Sequence, residues 1–180
     1  SERDKYEIDQ YLMRGGKILW LINEEKVDLN MYRKQSTMTE IRELNLDDMF
    51  FQYGMKLNAD LIQDLQNEST EVFVEGESGG TFLSKKYPFF PLIFTFPQHP
   101  ITRNVDATLL RYASSIDTFP QADVKKTILL STSPLSRTLQ GRQFIDINQV
   151  INEPPPQGLF NTPNRITALL MEGLFESVFA

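Results

Sequence analysis

The hydrophobic positions along the chain change period early. From Glu2 to Arg14 the apolar residues Ile8, Tyr11 and Leu12 fall at i, i+3 and i+4, which predicts an amphipathic helix. Gly15-Gly16 follows, and glycine takes the left-handed conformation that closes a helix without Cβ strain. Lys17-Ile18-Leu19-Trp20-Leu21-Ile22-Asn23 is then an almost unbroken apolar run, the pattern of a buried strand in a parallel sheet. Helix, two-residue turn and buried strand together predict a layered α/β domain. A chain that opens on such a helix is expected to lack the strand before it.

Further on, strand signals dominate. Glu24 to Met38 is polar and reads as loop. Asn45 is placed to cap a helix over Leu46 to Tyr53, with Asp47 and Asp48 in its first turn and Gly54 at its end. Met55 to Asn58 reads as a short strand, whereas Asp60 to Gln66 fits either period. Glu71 to Glu75, a turn at Gly76 to Gly80, and Thr81 to Leu83 read as a hairpin. Leu92 to Phe96 is a strand candidate between prolines, and Thr108 to Ile116 alternates. Lys126 to Ser133 is a second buried-strand candidate. Glu153 to Gly158, with three consecutive prolines, reads as a stiff surface connection. Ile166 to Phe179 carries one or two strands, with Gly173 marking a bulge or bend. The predicted fold class is α/β: a partly parallel sheet with an antiparallel, strand-rich extension. The 180 residues are expected to form a single soluble domain, 1–180, cut from a longer protein.

Composition narrows the chemistry. Thirteen Phe, six Tyr and one Trp supply enough bulk for a packed core. The formal net charge of −6 opposes binding to phosphate backbones, so nucleic acid is not an expected partner. Lys85-Lys86 and Lys125-Lys126 are adjacent lysine pairs, each read as a solvated strand edge. The chain contains no Cys, which removes thiol nucleophiles, disulfides and thiolate metal sites. No apolar run approaches the roughly 18 residues of a spanning helix. No cofactor and no metal site is expected.

The single histidine, His99, lies in Phe96-Pro97-Gln98-His99-Pro100-Ile101. With Ser114 or Ser115 and Asp117 it offers the residue types of a serine hydrolase, but its proline frame favours a loop-pinning role. Gly76-Glu77-Ser78-Gly79-Gly80 lacks the lysine and spacing of a phosphate loop and is flanked by carboxylates, so it reads as a hairpin turn. Asp47 and Asp48 point about 100° apart on a helix and suit capping better than a shared metal. Glu172 and Glu176 fit a solvent face. Trp20 reads as core. Asn67-Glu68-Ser69 matches a glycosylation sequon.

Several stretches taken together resemble one family. They run from Tyr6 to Ile22, from Asn45 to Gly54, through His99-Pro100-Ile101 and Ser114-Ser115-Ile116-Asp117, from Lys125 to Ser133, and from Leu170 to Phe179. Their order and spacing resemble GldG, the gliding-motility-associated accessory family of an ABC transport system, across nearly the whole chain. The resemblance implies an anchor in the inner membrane outside this segment, with the domain on the periplasmic side. It implies partnership with the permease and ATPase subunits, and a flavodoxin-like or glutamine-amidotransferase-like α/β fold. It carries over no catalytic residue. Amidotransferases of that fold use a Cys nucleophile, which this chain lacks.

The expected function is a non-catalytic, extracytoplasmic interaction domain of an ABC-transporter accessory subunit linked to gliding motility. Loops at Asn23 to Asp28, His99 to Arg103 and Ser131 to Arg137 are expected to meet the partner, with His99, Arg103, Ser133 and Arg137 as binding residues. A homo-oligomer is compatible with this reading. A solute-binding module for a small sugar or peptide is the alternative, and a serine hydrolase using His99 the third.

Overall fold

A computed structural model describes residues 1–28, 35–76 and 79–180. Part of the predicted Glu24–Met38 loop and residues 77 and 78 of the predicted glycine turn lie outside the described residues. The first helix, α1 (Glu2–Met13), is closed at its start by a capping box: Ser1 accepts from the Asp4 amide and the Asp4 side chain reciprocates. Gly15, at φ 83°, turns the chain out of it. Of the predicted Ile8-Tyr11-Leu12 stripe, Ile8 and Leu12 pack inward. Tyr11 is exposed, whereas Lys5 and Asp9 are buried beside Ile8 and Leu12. Burying two charged side chains is tolerable because both are paired. Lys5 Nζ lies 2.8 Å from an Asp48 oxygen, and Asp9 accepts from Tyr53 and Ser177 at 2.8 and 2.7 Å.

The predicted parallel α/β sheet is overturned. Every strand pairing among the described residues is antiparallel, in several small sheets, and no flavodoxin-like layer forms. The largest sheet has the order β10-β13-β9-β4: β10 (Val124–Ser131), β13 (Ile166–Gly173), β9 (Ile116–Thr118) and β4 (Met55–Leu57). β6 (Asn67–Gly76) and β7 (Gly79–Ile93) form the predicted hairpin, with β8 (Thr108–Leu109) alongside. β5 (Asp60–Asp64) pairs with β11 (Ser136–Gln140), β12 (Phe144–Asp146) with β2 (Ser36–Met38), and β1 (Glu25–Lys26) with β3 (Glu40–Ile41).

Two apolar runs misled the reading for different reasons. Lys126 to Ser133 lies largely within β10, but it is half-buried and bulged at Ile128 to Ser131, as suits one strand of an antiparallel pair. Lys17 to Asn23 joins no sheet. Its exposure alternates, with Leu19 and Leu21 82% and 86% exposed while Trp20 and Ile22 turn inward. An extended chain seen from one side gives that alternation. The expected Leu92–Phe96 strand ends at Ile93, and Pro88 and Pro91 lie inside β7. They coincide with the break in the β6–β7 register between Asn67 and Ser69, where a residue without an N–H cannot continue the ladder.

Two cores result. Tyr87, Phe89 and Phe90 of β7 pack with Leu61, Val72, Tyr112, Ile145 and Ile147. Phe90 meets Tyr87 and Tyr112 edge-on at 5.0 and 5.4 Å, contacts that contribute about 1 kcal/mol each beyond burial. The second core is built on α2 (Asp47–Tyr53), whose Met49, Phe50 and Tyr53 pack against the largest sheet, against α1 and against Trp20. Asn45 does not cap α2; it takes φ 57° and donates to Glu2 of α1. Gly54 closes α2 at φ 90°, as predicted. A last short helix, α3 (Ile147–Asn152), is capped by Asp146.

Candidate functional site

β5 is buried along its whole length, and β11 pairs with it so that Arg137 lies opposite Gln63 and Ser136 opposite Asp64. Arg137 Nε donates to Gln63 Oε1 at 2.7 Å, and the guanidinium sits 5.3 Å from the Phe160 ring centroid. No carboxylate among the described residues lies within ion-pairing distance of Arg137. Burial alone pulls its pKa down, though a guanidinium stays charged at any ordinary pH. A partly desolvated cation held by an amide and an aromatic face, its terminal nitrogens without a partner among the described residues, is prepared to meet an anion or a carbonyl.

Arg137 borders a cleft of about 210 Å³. Apolar walls come from Phe89, Leu139 and Val150, and amide and acid groups from Gln143, Gln149 and Glu153. Phe144, 63% exposed, stands at the opening. Apolar walls with a few polar groups of both kinds are the makeup of a recognition site. A larger hollow of about 500 Å³ lies over Ala122–Lys125 and Gly173, but it is a shallow surface between two strand ends.

The four residues predicted for binding do not converge. Ser133 neighbours Arg137 along β5, but its hydroxyl and amide both donate to Asp64, at 2.6 and 2.7 Å, so it fastens the loop before β11. His99 Nδ1 accepts from the Ile101 amide at 3.2 Å, and its carbonyl accepts from Thr102 and Arg103, which makes it the pin of the loop after β7. Arg103 is exposed on that loop. Neither residue lines the Arg137 cleft.

The hydrolase constellation does not assemble either. Ser115 donates its hydroxyl to Asp60 at 2.6 Å and its amide at 2.7 Å, and Asn58 bridges Ser115 and Asp117. His99 makes no hydrogen bond to these residues. The sequon is closed as well: Asn67 is buried, and its side-chain amide donates to the carbonyls of Asp64 and Leu65.

Sequence reading missed the buried acids. Glu24 and Glu25 sit in a segment read as polar loop, yet both are buried, as is Asp60. Burial first, then the neighbouring Asp47 carboxylate, push Glu24 up to about 7. Neither oxygen of Glu25 receives a well-formed hydrogen bond. Burial raises its pKa, and the adjacent Thr39 hydroxyl opposes the shift only in part. The available signal was the join of Glu24-Glu25 to the apolar run before it, since a chain that dives inward carries its next residues with it.

The model of the ABC-type uncharacterized transport system auxiliary family matches residues 1–180. The chain belongs to this family. No curated protein and no solved structure matches it. The auxiliary domain is therefore a component of an ABC-type transport system. Among the described residues of the auxiliary domain, no helix is long and apolar enough to cross a membrane.

Proposed function

We propose that this chain is a non-catalytic interaction domain of an ABC-transporter auxiliary subunit, on the periplasmic face of the inner membrane, and that it serves a gliding-motility system. The family match over the whole chain supports the assignment to an ABC-transporter auxiliary subunit, the core of this reading. The site chemistry agrees with it. The hydroxyls that a nucleophile would need are spent on Asp60 and Asp64, and the imidazole is spent on a loop amide. The permease and ATPase subunits are the partners this assigns. Recovery of both subunits with an affinity-tagged full-length protein from detergent-solubilised membranes tests it.

A second reading rests on Arg137. Its terminal guanidinium nitrogens, without a hydrogen-bond partner among the described residues and beside an apolar, amide-lined cleft, suit the carboxylate of a small peptide or acidic sugar. A ligand captured there raises the melting temperature by mass action, and Arg137→Ala removes that rise without unfolding the chain. A screen of acidic peptides and sugars in which none raises the melting temperature contradicts it.

A further inference from the structure

The lining of the Arg137 cleft carries two charges of opposite sign, Arg137 from β11 and Glu153 at the end of α3. Among the described residues they form no ion pair with each other or with any third group. The arginine is held in place. Gln63, 1% exposed, accepts from its Nε, and the guanidinium lies over the Phe160 ring. A planar fork fixed at Nε keeps its two terminal nitrogens for both oxygens of a carboxylate. Glu153 follows Gln149 by one turn, and both reach the cleft. A carboxylate only accepts, so what Glu153 can take is a cation or another donor.

We propose that the cleft binds a zwitterionic α-amino acid with an apolar side chain. Its carboxylate meets Arg137, its ammonium meets Glu153, and its side chain lies against Phe89, Leu139 and Val150. This rests on the solute-binding reading of Arg137 and goes beyond it by naming the solute. Size agrees: at about 210 Å³ the cleft is smaller than the about 300–1,000 Å³ of sites for drug-sized ligands, which suits one amino-acid residue and not a longer chain. Charge agrees as well. A ligand with a carboxylate alone satisfies Arg137 and brings a second anion near Glu153, whereas a zwitterion answers both charges and adds none to a chain already at −6. The apolar wall selects the side chain, because a charged one would be desolvated there without a partner.

Calorimetric titration of the full-length protein with L-leucine tests this, with N-acetyl-L-leucine, L-leucinamide and L-aspartate as comparisons. The first two comparisons each lack one of the two charges, and the third carries a charged side chain. Leucine is expected to bind at least about tenfold more tightly than any of them. Arg137→Gln is expected to abolish leucine binding. Glu153→Gln is expected to lower leucine to the level of N-acetyl-L-leucine and to leave the latter unchanged. Glu153 is exposed, so this second variant keeps a readout even where the first loses stability, and melting temperature checks the fold of each. Equal binding of leucine and N-acetyl-L-leucine, or leucine binding unmoved by Glu153→Gln, overturns the zwitterion while leaving Arg137 as a carboxylate site. Binding of neither, or leucine binding unmoved by Arg137→Gln, overturns both.

Discussion

Ser177 donates its hydroxyl to Asp9 Oδ2 at 2.7 Å, joining the first helix to the last segment of the chain across 168 positions of sequence. Tyr53 donates to the other oxygen at 2.8 Å, and the Val178 amide to that same oxygen at 3.2 Å. Asp9 is fully buried, which favours the neutral acid, but hydrogen bonds from Ser177, Tyr53 and Val178 outweigh burial and hold its pKa below the usual aspartate value. Asp9→Ala strands these donors in the core and is expected to cost about 3 kcal/mol. Urea unfolding measures it, and a loss under about 0.5 kcal/mol contradicts this role for the carboxylate.

Glu24 gives a pH dependence of defined sign. Its folded pKa is raised to about 7 from an ordinary value of 4.5, so the folded chain keeps a proton that the unfolded chain gives up. Its contribution is complete below about pH 4.5 and drains away as pH rises through about 7. Glu25 and Asp60, raised mainly by burial, act in the same direction. The urea midpoint is expected to fall between about pH 5 and pH 8, and to fall less in Glu24→Gln. Equal slopes in parent and variant contradict the assignment.

Gly173 closes β13 at φ 140°, and a Cβ there would lie 2.0 Å from the Asp123 carbonyl oxygen. The predicted bend is thus a close approach of two backbones at the strand end. Gly173→Ala is expected to destabilise by about 2 kcal/mol or more, through strain and the displaced turn. Thermal unfolding shows it as a lowered midpoint, and an unchanged midpoint contradicts the contact.

Local signals were legible in the sequence wherever a single residue decides the geometry. Gly15 and Gly54 end their helices, and the hairpin between β6 and β7 forms around its glycines. Strand direction was not legible, because an apolar run such as Lys126 to Ser133 fits a parallel strand or a half-buried antiparallel one, and only its partner, β13, decides. The inward face of α1 was hidden in part for a related reason. Lys5 and Asp9 read as solvent-facing until Asp48, Tyr53 and Ser177, remote in sequence, are brought to them. Of the predicted binding residues, Arg137 alone lines the cleft. Its exposure to an open cavity depends on Gln63 and Phe160, which its own neighbourhood in sequence does not contain.

Affinity purification of the full-length protein from native membranes, with quantitation of the recovered transport subunits, tests the central claim most directly. The account predicts that the permease and the ATPase of one ABC system are recovered together in near-constant ratio to the bait, and that Arg137→Ala leaves the domain folded. Recovery of neither subunit, from membranes in which both are present, contradicts it.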